Sequence, residues 1–144
     1  MNFQYPEDTQ QMQRTLRQFM EQHVMPRYHD YERIAATGVY PTEVIEPLKV
    51  LAREAGLWNL FLPGLRDDEP GTRLTNMQYS PLAEIMGRVY WSAEVFNCNA
   101  PDTGNTELLH LFATPEQRER WLVPLLNGSI RSCFSMTEPD VASS

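Results

Sequence analysis

The stretch with the most chemical potential runs Cys133-Phe134-Ser135-Met136-Thr137-Glu138-Pro139, followed by Asp140-Val141-Ala142-Ser143-Ser144. Alternation from Ser129 to Met136 predicts a short strand, with Ile130, Ser132, Phe134 and Met136 on one face and Arg131, Cys133 and Ser135 on the other. A strand that stops and turns frees backbone N–H groups, because no ladder uses them beyond that point. Thr137 adds a hydroxyl donor, and Pro139 fixes the backbone that follows. Ala142, Ser143 and Ser144 lack bulk, so main chain and hydroxyls can come close to a phosphate-bearing ligand. Donors aimed in advance suit a ligand that gathers negative charge during reaction. The same residues also read as a plain strand ending in a proline turn, with no chemistry at all.

Elsewhere the side chains offer little catalysis. His23, His29 and His110 are not spaced as metal ligands on one helix face, and Asp67-Asp68-Glu69 reads as a solvated loop, so no metal site is expected. Cys98 and Cys133 stand apart without a CxxC pair, which predicts two reduced thiols. No GxSxG, P-loop or GxGxxG motif occurs. The formal net charge of −7 argues against a nucleic-acid partner, which needs clustered Lys and Arg. No apolar run reaches the ~20 residues that span a bilayer. The polar, acid-bearing Met1–Gln11 resembles neither a secretory signal nor a transit peptide, and a cytoplasmic location is expected.

The elements that must position the Thr137 turn are helical. Met12, Leu16, Phe19, Met20 and Val24 mark one face of a first helix, with Asp8 or Thr9 as its cap. Ile45, Leu48, Leu51, Ala52 and Ala55 stripe a second, starting near Thr42 or only at Pro47 and ended by Gly56. Leu57 to Pro63 reads as a buried connector, and Arg66 to Arg73 as a polar, mobile loop. A third helix carries Leu82, Ile85, Met86 and Val89 behind a cap at Thr75 or Ser80. A fourth covers about Trp91 to Cys98, and a fifth holds Leu108, Leu109, Leu111 and Phe112. Thr114-Pro115-Glu116-Gln117 is a capping box that opens a sixth, with Trp121, Leu122, Leu125 and Leu126 inward and a kink at Pro124. The change of period near Gly128 predicts a boundary between an all-α domain, 1–128, and the start of a β domain, 129–144.

Several of these segments together resemble the acyl-CoA dehydrogenase family. They are the Met136-Thr137-Glu138-Pro139 turn, the run from Thr114 through Trp121-Leu122-Val123-Pro124-Leu125-Leu126-Asn127-Gly128, and the connector Gly56 to Pro63. Asn97 to Asn105 is similar to a long-chain branch that in animals is fused to a kinase-like domain. The resemblance covers essentially the whole chain. It implies a mainly α fold: the family's N-terminal helical bundle with the first strand of a following β domain at its end. A helical C-terminal domain would lie further on.

The resemblance further implies FAD as cofactor, with Phe134, Met136, Thr137 and Ser143 meeting it and Ser144 meeting the acyl-CoA substrate. A flavin ring is rich in acceptors and gains negative charge on reduction, which the donors of the turn would match. The implied reaction, a step of fatty acid β-oxidation, is α,β-dehydrogenation of acyl-CoA thioesters. A glutamate takes the α-proton and the β-hydrogen leaves as hydride. That glutamate belongs to the C-terminal domain, so no catalytic residue is assigned here. Electron-transfer flavoprotein or a similar acceptor, and homo-oligomers of the full-length protein, are the implied partners. Asn97 to Asn105 is a candidate wall of the acyl pocket. An acyl-CoA oxidase or flavin monooxygenase of the same fold, and a non-catalytic helical interaction module, are the alternatives. The 144 residues by themselves are expected to aggregate and to hold no tightly bound flavin.

Overall fold

In the computed structural model, residues 4–136 and 139–140 are described. The helices are α1 (Glu7–Phe19), α2 (Tyr28–Ala35), α3 (Thr42–Glu54), α4 (Asn76–Met86), α5 (Ser92–Val95), α6 (Asp102–Phe112), α7 (Pro115–Gln117) and α8 (Val123–Leu126). Helix α1 packs on α4, α3 on α5, and α6 on the turns around α7 and α8. No strand occurs among the described residues.

The expected first-helix face is buried: Leu16, Phe19, Met20 and Val24 meet Ile45, Leu48, Leu82, Ile85, Met86 and Phe96 in one core. Each such side chain contributes about 1.5–3 kcal/mol by leaving water. The cap is not as expected. Pro6 precedes α1 and no side chain caps it, while Asp8 lies inside the first turn and bonds its neighbour Thr9. Helix α3 starts at Thr42, not at Pro47. Pro47 falls early enough that only the bond it would give Glu43 is lost, and the amides of Val44 and Ile45 both reach Pro41 O. Val44 is buried in α3, whereas Leu51 and Ala55 face out, so the stripe is narrower than expected. Gly56 ends this helix at φ 70°, as its position predicts.

Two π turns interrupt the helices, at Met20–Val24 and Arg118–Leu122. Each lies just before a proline, Pro26 and Pro124. A proline ring clashes with the carbonyl four residues earlier, here Gln22 and Arg120, and both carbonyls lie within the widened turns. Pro124 therefore widens its helix rather than simply kinking it. The capping boxes form at Thr75 with Gln78 and at Thr114 with Gln117. Leu122, Leu125 and Leu126 are buried, but Trp121 is 45% exposed. The fourth helix shrinks to Ser92–Val95, with Val95 and Phe96 fully buried.

The loop from Arg66 to Arg73 is tied down, contrary to its polar composition. Glu69 binds Arg118 at 2.6 Å and accepts from the Arg66 amide at 2.9 Å. Thr72 donates from its amide to Trp58 O and from its hydroxyl to Gly56 O, at 2.9 and 2.6 Å. Apart from the Arg66 amide, these partners come from outside the loop, and no local pattern reveals them.

Candidate functional site

The site grows from the last turn of α8. A helix end leaves carbonyls without partners, and here side chains from two distant loops supply donors. Trp58 Nε1 and Asn59 Nδ2 both give hydrogen bonds of 2.8 Å to Leu126 O. Asn97 Nδ2 donates to Leu125 O at 2.9 Å and to Asn59 Oδ1 at 2.7 Å. Asn59 and Asn97 adopt φ of 49° and 54°, which asparagine tolerates better than most residues. Gly128, at φ 61°, then turns the chain out, and a Cβ there would stand 2.9 Å from the Trp58 ring. The direction in which residues 129–136 leave the bundle is thus fixed by buried polar contacts.

The departing segment is held on two sides. Arg131 pairs with Glu94, lies 3.7 Å from Glu46, and stacks its guanidinium over the Tyr40 ring at 4.8 Å. Glu94 also accepts from the Tyr40 hydroxyl and sits 3.4 Å from the Lys49 ammonium, which Glu46 binds at 2.8 Å. Burial pulls the Arg131 pKa down, but the hydrogen bond and charge of Glu94, with Glu46 and Asp102, outweigh it and raise the pKa overall. On the other side, Asp102 Oδ1 accepts from both the amide and the hydroxyl of Ser132, each at 2.6 Å. Asn105 Nδ2 donates to the Ser132 hydroxyl at 2.8 Å. The Phe134 ring lies 3.5 Å from where a Cβ on Gly104 would stand. Ser132 and Phe134 therefore both meet α6 while Arg131 turns away, the alternation expected of an extended chain.

The expected strand over Ser129–Met136 is absent as a strand. Residues 131–136 carry no regular structure and meet no ladder partner among the described residues, because a strand needs a neighbour to pair with. Phe134 and Met136 are 62% and 76% exposed. Thr137, Ser143 and Ser144 lie outside the described residues. Beside the segment is an apolar cavity of about 370 Å³, lined by Asn105, Leu108, Leu109, Trp121, Leu125, Ile130, Arg131 and Ser132. Exposed Leu111 and Phe112 extend the apolar surface of α6.

Asn97 to Asn105 divides its labour. Asn97 is spent on the α8 carbonyls, Cys98 is buried, Asp102 and Asn105 grip Ser132, and Asn105 alone of them reaches the cavity. Sequence reading did not single out Glu94, Asp102 or the role of Arg131. An acid in the first turn of α6 was the available signal for Asp102. A larger cleft of about 450 Å³ beneath the Arg66–Pro70 loop mixes charged residues with Pro70, Val123 and Leu126, and its Glu69 is already paired with Arg118. Among the described residues no group of three His, Cys, Asp or Glu could hold a metal ion, and no helix is long and apolar enough to cross a membrane.

The mainly helical fold matches that of an acyl-CoA dehydrogenase N-terminal domain. The family model "Acyl-CoA dehydrogenase, N-terminal domain" matches residues 6–129, and the chain belongs to the acyl-CoA dehydrogenase family. It is 53% identical over 131 residues to acyl-CoA dehydrogenase family member 10 of Mus musculus, covering 88% of this chain and 12% of that protein. It is 47% identical over 135 residues to family member 11 of Gallus gallus, covering 90% of this chain and 17% of that one. A solved structure from Mycobacterium abscessus, assigned as an acyl-CoA dehydrogenase, superposes with a TM-score of 0.83 at 44% identity, over 98% of this chain and 37% of that chain. The chain thus spans only a minor part of the length of each of these relatives.

Proposed function

We propose that this chain is the N-terminal helical portion of an FAD-dependent acyl-CoA dehydrogenase that removes the α and β hydrogens of acyl-CoA thioesters in fatty acid β-oxidation. One observation carries the reading beyond family membership: the segment that follows the helical bundle leaves it tethered, unladdered and exposed beside an apolar cavity. Those properties fit a flat, acceptor-rich ring. Main-chain donors of residues 134–136 are not used in a sheet among the described residues, and Phe134 and Met136 present apolar surface to whatever covers them.

In this reading Phe134, Met136, Thr137 and Ser143 hold FAD and Ser144 meets the acyl-CoA. The cavity under Asn105, Leu108 and Trp121 shelters apolar substrate or flavin edge from water. When bound, FAD supplies the hydride acceptor. This chain's own residues orient it and exclude water, and none of its carboxylates is assigned to the α-proton. We place the domain boundary after Gly128. A cytoplasmic enzyme, a homo-oligomer when full length, and electron transfer to an electron-transfer flavoprotein complete the proposal. The test is purification of the full-length protein, its flavin spectrum, and dye reduction with a panel of acyl-CoAs. Stoichiometric FAD and acyl-CoA-dependent dye reduction are expected; a colourless, inactive protein refutes the reading. Faster turnover with oxygen than with dye would point to the oxidase alternative.

A further inference from the structure

Ser132 stands only two residues before Phe134, about 7 Å along an extended chain. Whatever fixes Ser132 therefore sets which residues face the ring, because a slip of one position would exchange the two faces of the segment. The grip on Ser132 is unusually complete. One oxygen of Asp102 takes both its amide and its hydroxyl at 2.6 Å, and Asn105 fills the hydroxyl's acceptor side at 2.8 Å. Asp102 is 6% exposed and begins an eleven-residue helix, so its position is inherited from the bundle. Bonds to a carboxylate are about twice as strong as neutral ones, and a backbone N–H so held cannot join another register cheaply. On the opposite side, Arg131 is locked between Glu94 and the Tyr40 ring.

We propose that Asp102 is a positioning residue for the flavin: through Ser132 it sets the register of the 132–136 segment, and the Arg131–Glu94 pair prevents that segment from rotating about this point. Asp102 itself touches neither cofactor nor substrate. The inference rests on the flavin reading above and adds a residue on the helical domain that controls it.

The test uses the full-length protein and compares Asp102→Ala, Asp102→Asn and the core variant Ile45→Val. FAD affinity is read by flavin fluorescence, and ring environment by visible circular dichroism, all well below the unfolding temperature. Asp102→Ala should weaken FAD binding by about tenfold or more and change the visible dichroism. Asp102→Asn keeps an acceptor oxygen and should recover most of the affinity. Ile45→Val lowers stability through the core alone and should leave both flavin readouts unchanged. The proposal is overturned if Asp102→Ala loses thermal stability but binds FAD with wild-type affinity and dichroism, or if Asp102→Asn is as defective as Asp102→Ala. Failure of the wild-type protein to bind FAD would instead overturn the flavin reading, and this inference with it.

Discussion

Asn97 offers the sharpest test of how the exit of the helical bundle is built. Its side-chain amide gives two buried hydrogen bonds, to Asn59 Oδ1 at 2.7 Å and Leu125 O at 2.9 Å. Asn97→Ala strands Asn59 Oδ1, at about 1–3 kcal/mol, and takes one of two donors from Leu125 O, which keeps the Gly128 amide at 2.9 Å, a further loss of about 1 kcal/mol. It also places alanine at φ 54°, which costs about 1 kcal/mol more. The expected loss is roughly 3–5 kcal/mol, a large share of the ~5–15 kcal/mol that holds a domain together. Asn97→Gly loses the same bonds but not the backbone term, so it should be milder than alanine by about 1 kcal/mol. Asn97→Asp is the decisive member of the series. It has the shape of asparagine but aims an anionic oxygen at two buried oxygens, and it should be the most damaging of the three. Urea unfolding followed by helical circular dichroism at micromolar protein gives the ranking. A loss below 1 kcal/mol for Asn97→Ala, or an Asn97→Asp variant milder than Asn97→Ala, would refute the reasoning.

Three further outcomes are expected. Burial pushes the Cys98 thiol up to about 12, against the opposing backbone bonds of Leu60 and Phe61, while Cys133 is exposed. At pH 8 a thiol reagent should therefore label one cysteine quickly, and Cys133→Ser should abolish that fast phase. Because the unfolded thiol titrates near 8.5 and the folded one near 12, Cys98 contributes stability below the lower value that is lost as pH rises through this window; a Cys98→Ala variant should show a shallower alkaline decline in unfolding free energy. Gly128→Ala should cost about 2–3 kcal/mol, from φ 61° and a Cβ 2.9 Å from Trp58. Gly38→Ala, at φ 80° with nothing within 4 Å, should cost only the backbone part, and thermal unfolding of the pair separates the two. The 144-residue chain alone, with Phe112, Phe134 and Met136 each more than 60% exposed, should associate at raised concentration and purify without flavin; light scattering and an absorbance spectrum check both.

Much of the helical scaffold is legible because it follows local rules. The Thr114 and Thr75 capping boxes, the left-handed Gly56 and the Leu82–Ile85–Met86 face all depend on residues within a turn or two of each other. Trp121 misled because its spacing fits an inward face, yet it stands 45% exposed in the lining of the apolar cavity. The anchors of the Arg66–Arg73 loop were hidden for a related reason: Arg118, Trp58 and Gly56 bond it from elsewhere in the chain. Of the candidate site, the Phe134–Thr137 stretch stood out by composition and resemblance. Its supports, Asp102 and Glu94, did not, since an isolated acid carries no mark of the serine or arginine that will meet it some thirty residues later.

The widened turns ahead of Pro26 and Pro124 bear on how this scaffold can change length. A π turn absorbs one surplus residue while the helix on either side keeps its facing. Loss of a single exposed residue such as Glu119 would then shorten the rod without spinning Leu122, Leu125 and Leu126 away from their neighbours, whereas a deletion in an ordinary turn would swing every later side chain by about 100°. The ring of Pro124 would clash with the tightened backbone, so the extra residue and the imino acid form a linked pair, gained or discarded together.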